Sequence, residues 1–258
     1  MSDPVLVRRD ARGVATVSIN NPAKANRLGI ETMKAFTAAV ARLGEDPELR
    51  VLVVTGEGNR AFMGGANLFE LGELNQVTAR AFITQIHLMS KALRDLPVPV
   101  IARVNGWSLG AGLEVMAACD MRVAADHAMF GMPEVKVGLP SVVEAALLPQ
   151  LIGWGRTKIL LYTAENIDAP TAFQWGLVEK IVPAADLDAA VAQWVDAIVE
   201  AGPRAIRLQK ELIREWEAMP VNDGIQAGIR SLARAYETDE PTRLIGAAIA
   251  RLRAPKLK

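Results

Sequence analysis

The chain has 258 residues, 51% of them hydrophobic, which at roughly 150 residues per domain suits one large domain or a domain with an extension. Its 29 basic residues balance 29 acidic ones and aromatics make up only 5%, so neither a net field nor a stacking platform draws in nucleic acid or an anionic membrane; any anionic ligand must be held locally. One cysteine, Cys119, and two histidines, His87 and His127, exclude a disulfide framework and argue against a zinc site.

Met1 to Arg12 carries Asp3, Arg8, Arg9, Asp10 and Arg12 and lacks the long apolar stretch of an export signal. No later segment approaches about 18 uninterrupted apolar residues. The expected location is therefore cytoplasmic. Gly13 to Asn20 alternates, with Ala15, Val17 and Ile19 on one face, and breaks at Asn20, Asn21 and Pro22, as a strand ending in a turn does. Ile30, Met33, Phe36, Val40 and Leu43 recur at helical spacing, and the apolar run Val51 to Val54 then reads as a buried strand closed by Thr55 and Gly56. A helix is expected from about Val77 to Leu96, a buried strand over Val98 to Val104, a helix starting near Gly112 and a short strand over Arg122 to Ala125. Strands alternating with helices predict an α/β layered core with crossover connections. From Glu144 onward the patterns are mainly helical, including Leu187 to Glu200 and Ala205 to Trp216, with Pro203, Pro220 and Pro241 as punctuation.

Two segments rich in small residues follow predicted buried strands. In Phe62-Met63-Gly64-Gly65-Ala66-Asn67-Leu68, three side-chain-poor residues let a ligand approach the backbone, leaving N–H groups to point at an oxygen; the plain alternative is an ordinary strand-to-helix turn. The second, Asn105 to Glu114, admits three readings. Gly106-Trp107-Ser108-Leu109-Gly110 spells G-x-S-x-G, but His127, the sole histidine after Ser108, follows too soon for the triad order of a nucleophile elbow. Gly110, Ala111, Gly112 and Val115 form a loose dinucleotide fingerprint, truncated at its third glycine and far from the first strand-helix unit. In the third reading, Gly110 to Gly112 is a helix N-terminus whose amides and dipole stabilise negative charge on an oxygen. Paired with the Gly64 to Ala66 turn, it would form a two-donor oxyanion hole, of which one donor is worth about 2.7–4 kcal/mol. With no credible serine, cysteine or metal, such a hole suggests that a carbonyl becomes an enolate beside a proton-transfer group. Glu114, three residues past Ala111 and flanked by Leu113, Val115 and Met116, and Glu134, in Phe130-Gly131-Met132-Pro133-Glu134, could supply it. Glu144, in Val142-Val143-Glu144-Ala145-Ala146, is a third candidate pocket acid. An isolated glutamate is ordinarily a solvated residue.

Together these features resemble the crotonase (enoyl-CoA hydratase/isomerase) superfamily over nearly the whole chain. Val14 to Asn26 is similar to its strand and N-x-P turn, Ala61 to Leu68 to its first oxyanion segment, and Val98 to Asp120 to its P-V-I-A-x-V-N-G…G-G-G-x-E…C-D signature. Phe130 to Glu134 matches F-x-x-P-E, and Ile167 to Val182 contains D-A-x-x-A-x-x-W-G-L-V. The resemblance implies a crotonase-like α/β core of repeated β-β-α units with an acyl-CoA site over 1–197, and a C-terminal helical region over 198–258 that serves oligomerisation and covers CoA. It implies oxyanion donors at the N–H of Ala66 and Ala111, and Glu114 and Glu134 as the two glutamates of an enoyl-CoA hydratase. Glu114 would mainly activate water and Glu134 protonate the α-carbon. Isomerases, other acyl-CoA lyases or hydrolases of the fold, using Glu134 and Glu144, and a non-catalytic acyl-CoA-binding subunit are the alternatives.

By the same resemblance Lys24, Ala25, Gly64, Ala66, Asn67, Leu68, Gly110, Pro133 and Leu139 would line the CoA and substrate groove, with Lys24, Arg27, Arg251, Arg253 and Lys256 as candidates for the CoA phosphates. Coenzyme A is expected as part of the substrate, with no permanently bound cofactor, and the assembly as a homotrimer or a dimer of trimers. Three positions depart from the pattern. Asn67 stands for an aspartate, Ala111 for a glycine, and Gly138 to Glu144 for a longer P-G-x-G-G turn bordering the acyl pocket.

Overall fold

The structure, a computed structural model, describes residues 3–253. Its larger sheet has the order β1 (Val5–Arg9), β2 (Val14–Ile19), β3 (Val51–Gly56), β5 (Val100–Val104), β7 (Met121–Ala125) and β10 (Lys180–Val182). β1 is antiparallel to β2, and every other pairing is parallel. A smaller sheet contains β4 (Ala61–Met63), β6 (Trp107–Leu109), β8 (Met129–Gly131) and β9 (Ile167–Asp168). Thus β3 leads to β4, β5 to β6 and β7 to β8, each pair giving one strand to each sheet. The first two pairs continue into helices, which is the β-β-α repeat that the resemblance implies.

The continuous apolar runs of β3 and β5 are explained by cover on both faces. Leu52, Val54, Val100 and Ala102 pack with α1 (Ile30–Gly44), α3 (Gln76–Asp95) and α4 (Ala111–Ala117) in the main core. Their alternates, Val51, Val53 and Ile101, meet Leu187, Val191 and Val195 of α7 (Leu187–Glu200) on the other face.

Two buried asparagines brace the passages between sheets. Asn105 Nδ2 donates to the carbonyls of Gly56 (2.7 Å) and Gly58 (2.6 Å), and Asn26 Nδ2 to those of Glu57 (2.9 Å) and Ala61 (2.8 Å). Backbone carbonyls that leave a sheet ladder inside a protein need such donors.

The structure corrects parts of the sequence reading. The Phe62 and Asn105 segments are not plain turns, because the first begins within β4 and the second contains all of β6. The C-terminal part holds β9 and β10, and β1 precedes the first expected strand. The division at 197/198 falls inside α7, which packs on the larger sheet to its end; the chain leaves these layers at Ala201 and Gly202. Beyond lie α8 (Pro203–Trp216), α9 (Val221–Ala235) and α10 (Glu240–Arg253). α8 still docks on the core, with Lys210 buried and paired to Asp120. Among the described residues no helix is long and apolar enough to cross a membrane.

Candidate active site

A cavity of about 300 Å³ opens where β4, β6 and β8 end. Gly64, Gly65, Ala66 and Leu68 border it after β4, Gly110, Ala111 and Glu114 after β6, and Pro133 and Glu134 after β8. Phe82, Ile83 and Ile86 of α3 and Leu139, Pro140 and Val142 complete an apolar wall. Glycine is what allows the first two turns to meet. A Cβ on Gly112 would overlap the Met63 carbonyl, and one on Gly65 would come within 3.0 Å of the Leu109 carbonyl.

Both residues expected to supply oxyanion amides border this cavity. Leu28 donates to the Gly65 carbonyl and accepts from the Asn67 amide, each at 2.8 Å. In such a parallel bridge the intervening residue, Ala66, turns its own N–H to the opposite side. Ala111 is the first residue of α4, where an N–H has no partner within the helix. Among the described residues neither amide donates a hydrogen bond.

The two carboxylates come from different elements. Glu114 lies on α4, 3% exposed, and accepts from the Ala145 amide at 3.3 Å. Burial first, and the Glu134 charge second, push its pKa up to about 8. Glu134, on a 3-10 turn over Glu134–Val137, is half-buried, with Oε1 against the backbone of Gly110 and Oε2 accepting from Ser141 Oγ at 2.7 Å. Both carboxylates border one low-dielectric cavity, and with its pKa near 8 Glu114 holds a proton at neutral pH. Such a pair offers one acid and one base.

Other expected site residues fall elsewhere. Glu144 is buried but does not line the cavity; its Oε1 meets His87 Nδ1 at 2.8 Å, and burial raises its pKa against the opposing pull of His87. Asn67 is not a lining residue. Its Oδ1 caps α2 (Leu68–Gly72) at the Phe69 amide, and its Nδ2 donates to Glu70 Oε1 at 2.7 Å. Glu70 Oε2 in turn accepts from the Ile30 amide at the start of α1 (2.9 Å), so Asn67 is part of a capping network that an aspartate could not complete. Ala25 lies just outside the cavity and accepts from the Gly64 amide at 2.8 Å, and Lys24 is exposed on the neighbouring 3-10 turn. The Arg27 guanidinium sits over the Phe69 ring, 5.2 Å from its centroid. Arg251 and Arg253 are exposed at the end of α10, and Lys256 lies outside the described residues.

The serine hydrolase reading fails on geometry. Ser108 is fully buried in β6 with its Oγ unpartnered, and His127 bonds instead with the Asn59 carbonyl and sits beside Asp126. The dinucleotide reading fails because α4 is only seven residues long and wholly buried.

Sequence reasoning missed Ser141, Ala145 and His87, which hold the three acids, and the acyl wall from α3. Phe82 and Ile86 carried the helical-spacing signal, but spacing alone does not say which cavity a face borders.

A layered β-β-α core with Ala66, Ala111, Glu114 and Glu134 around one apolar cavity defines a protein of the crotonase-fold class. The chain belongs to the enoyl-CoA hydratase/isomerase family, whose model matches residues 9–242. It is 32% identical over 237 residues to the short-chain-enoyl-CoA hydratase of Clostridium acetobutylicum, covering 92% of this chain and 90% of that protein. It is 37% identical over 227 residues to the crotonyl-CoA hydratase of Syntrophomonas wolfei, covering 88% and 84%. The crystal structure of an enoyl-CoA hydratase from Bacillus anthracis superposes with a TM-score of 0.93 at 31% identity, over 96% of this chain and 97% of that one.

Proposed function

We propose that the protein is an enoyl-CoA hydratase, a hydro-lyase that adds water across the 2,3 double bond of a 2-enoyl-CoA. The observation that carries this reading is the single cavity bordered by the Ala66 and Ala111 amides and by Glu114 and Glu134. The thioester oxygen accepts from both amides, which draws charge onto that oxygen as the enolate forms. The acyl chain lies against Phe82, Ile83, Ile86 and Val142. Water held by the two carboxylates loses a proton to one as its oxygen attacks the β-carbon, and the other delivers a proton to the α-carbon. General acid-base help of this kind is worth about 10²–10⁴ in rate.

Burial favours protonated Glu114. To activate water as a base, Glu114 must first give up that proton.

Coenzyme A enters as part of the substrate, over the rim formed by Lys24, Ala25 and Leu68, and no permanently bound cofactor takes part. We place the protein in the cytoplasm. A homotrimer or dimer of trimers is supported by apolar side chains exposed along α9 and α10, among them Ile225, Ile229, Leu232 and Ile249, which a second copy would cover. Light scattering on the purified protein measures the oligomer.

Loss of crotonyl-CoA absorbance with wild type, Glu114→Gln and Glu134→Gln tests the function. Turnover by wild type and its collapse in both variants is expected. Full activity in both variants refutes the two-glutamate mechanism, and no turnover across several enoyl chain lengths refutes hydration in favour of double-bond isomerisation.

A further inference from the structure

Behind the reacting carboxylates lies a second pair of titratable groups with no part in the chemistry above. Glu144 is 6% exposed and reaches away from the cavity to α3, where its Oε1 meets His87 Nδ1 at 2.8 Å; its other oxygen, Oε2, is buried and has no partner among the described residues. The His87 side chain is 49% exposed. A carboxylate placed in an apolar setting needs a partner to stay there, and His87 is the one it has.

The turn that carries Glu144 also holds Glu114. Val143, a β-branched residue, has φ of 38°, in the left-handed region that such side chains rarely occupy. This sharp reversal is closed by the Ala145 amide donating to the Val142 carbonyl at 2.9 Å, and it turns Glu144 inward. The same Ala145 amide lies 3.3 Å from Glu114 Oε1, and Val142 borders the acyl cavity. Strain of this kind persists only when surrounding contacts hold it. The Glu144–His87 contact supplies such a hold and joins the turn to α3, which borders the same cavity.

We propose that Glu144 and His87 form a positioning dyad: His87 fixes Glu144, Glu144 fixes the Val142–Ala145 turn, and the Ala145 amide of that turn fixes the Glu114 carboxylate against substrate. This rests on the hydratase reading for its kinetic effect, and on geometry alone for the contact itself. Neither residue touches the reacting atoms.

When Glu144 is ionised, the contact requires a neutral His87 to carry its proton on Nδ1, which nitrogen shifts of the imidazole report. With only two histidines in the chain, a His127→Asn variant leaves one ring to assign. At a pH where Glu144 is ionised, the expected spectrum shows an Nδ1–H ring that changes tautomer in Glu144→Leu; an Nε2–H ring in wild type, or one indifferent to Glu144→Leu, overturns the contact. In crotonyl-CoA hydration, Glu144→Leu and His87→Ala should each lower kcat about tenfold with KM within about twofold, and the double variant should lose little more, since both act through one chain of contacts. His87→Gln, which can still donate to Glu144, should recover most of the loss. Unchanged kcat in both single variants, or losses that merely follow the folded fraction, overturns the positioning role. A wild type that hydrates no enoyl-CoA fails the hydratase reading and, with it, the kinetic role, while the spectral arm still decides the dyad.

Discussion

The Glu134 carboxylate lies against the backbone of Gly110, so close that a Cβ on residue 110 would overlap Oε1. Gly110 also precedes the Ala111 amide, and it adopts φ of 49° and ψ of −121°, a conformation open mainly to glycine. One residue therefore governs both an oxyanion donor and the seat of a carboxylate. In Gly110→Ala the methyl group must displace Glu134 or twist the start of α4. Crotonyl-CoA kinetics should show kcat/KM lower by on the order of 10²-fold, the cost of a misplacement of about 1 Å.

Ala111→Pro separates the amide from the rest of its residue. Proline is well accepted at the first position of a helix, so α4 should form, but the N–H is gone and Cδ stands in its place. Steady-state kinetics should show kcat reduced by about 10²–10³, with thermal melts close to wild type.

Burial of Glu114 gives a pH signature in stability. Its folded pKa, about 8, lies above the 4.5 of an ordinary glutamate, so the folded state binds the proton more tightly. The stabilisation is full below the unfolded pKa, diminishes as pH rises between the two values and is lost through the folded one. Urea unfolding from pH 5 to 9 should show wild type losing stability relative to Glu114→Gln as pH rises, by on the order of a few kcal/mol. Parallel curves for the two proteins would contradict the raised pKa.

Asn67→Asp restores the usual family residue and should nonetheless destabilise this chain. The aspartate can still cap α2, yet it sets a carboxylate against Glu70 where Asn67 Nδ2 now donates. A loss of about 1 kcal/mol in urea unfolding at pH 7 is expected, smaller near pH 4 where one carboxylate takes up a proton.

Local burial patterns are written in the order of residues, and this is what the sequence by itself determined. The runs at Val51 and Val98 announced strands covered on both faces, the spacing from Ile30 to Leu43 announced α1, and the small residues before Ala66 and Ala111, with Glu114 and Glu134, announced the site. Tertiary structure alone decided who meets whom. Strands β4, β6 and β8, three residues each, are too short for a period to register, and they exist because each pairs with the next across the smaller sheet. The same holds for Glu144. Its apolar flanks marked it as buried, but whether it faced the acyl group or His87, 57 residues away on α3, depended on the reversal at Val143 and the packing of two distant elements. Periodicity reports how buried a residue is; its partner is chosen by the approach of segments far apart in the chain.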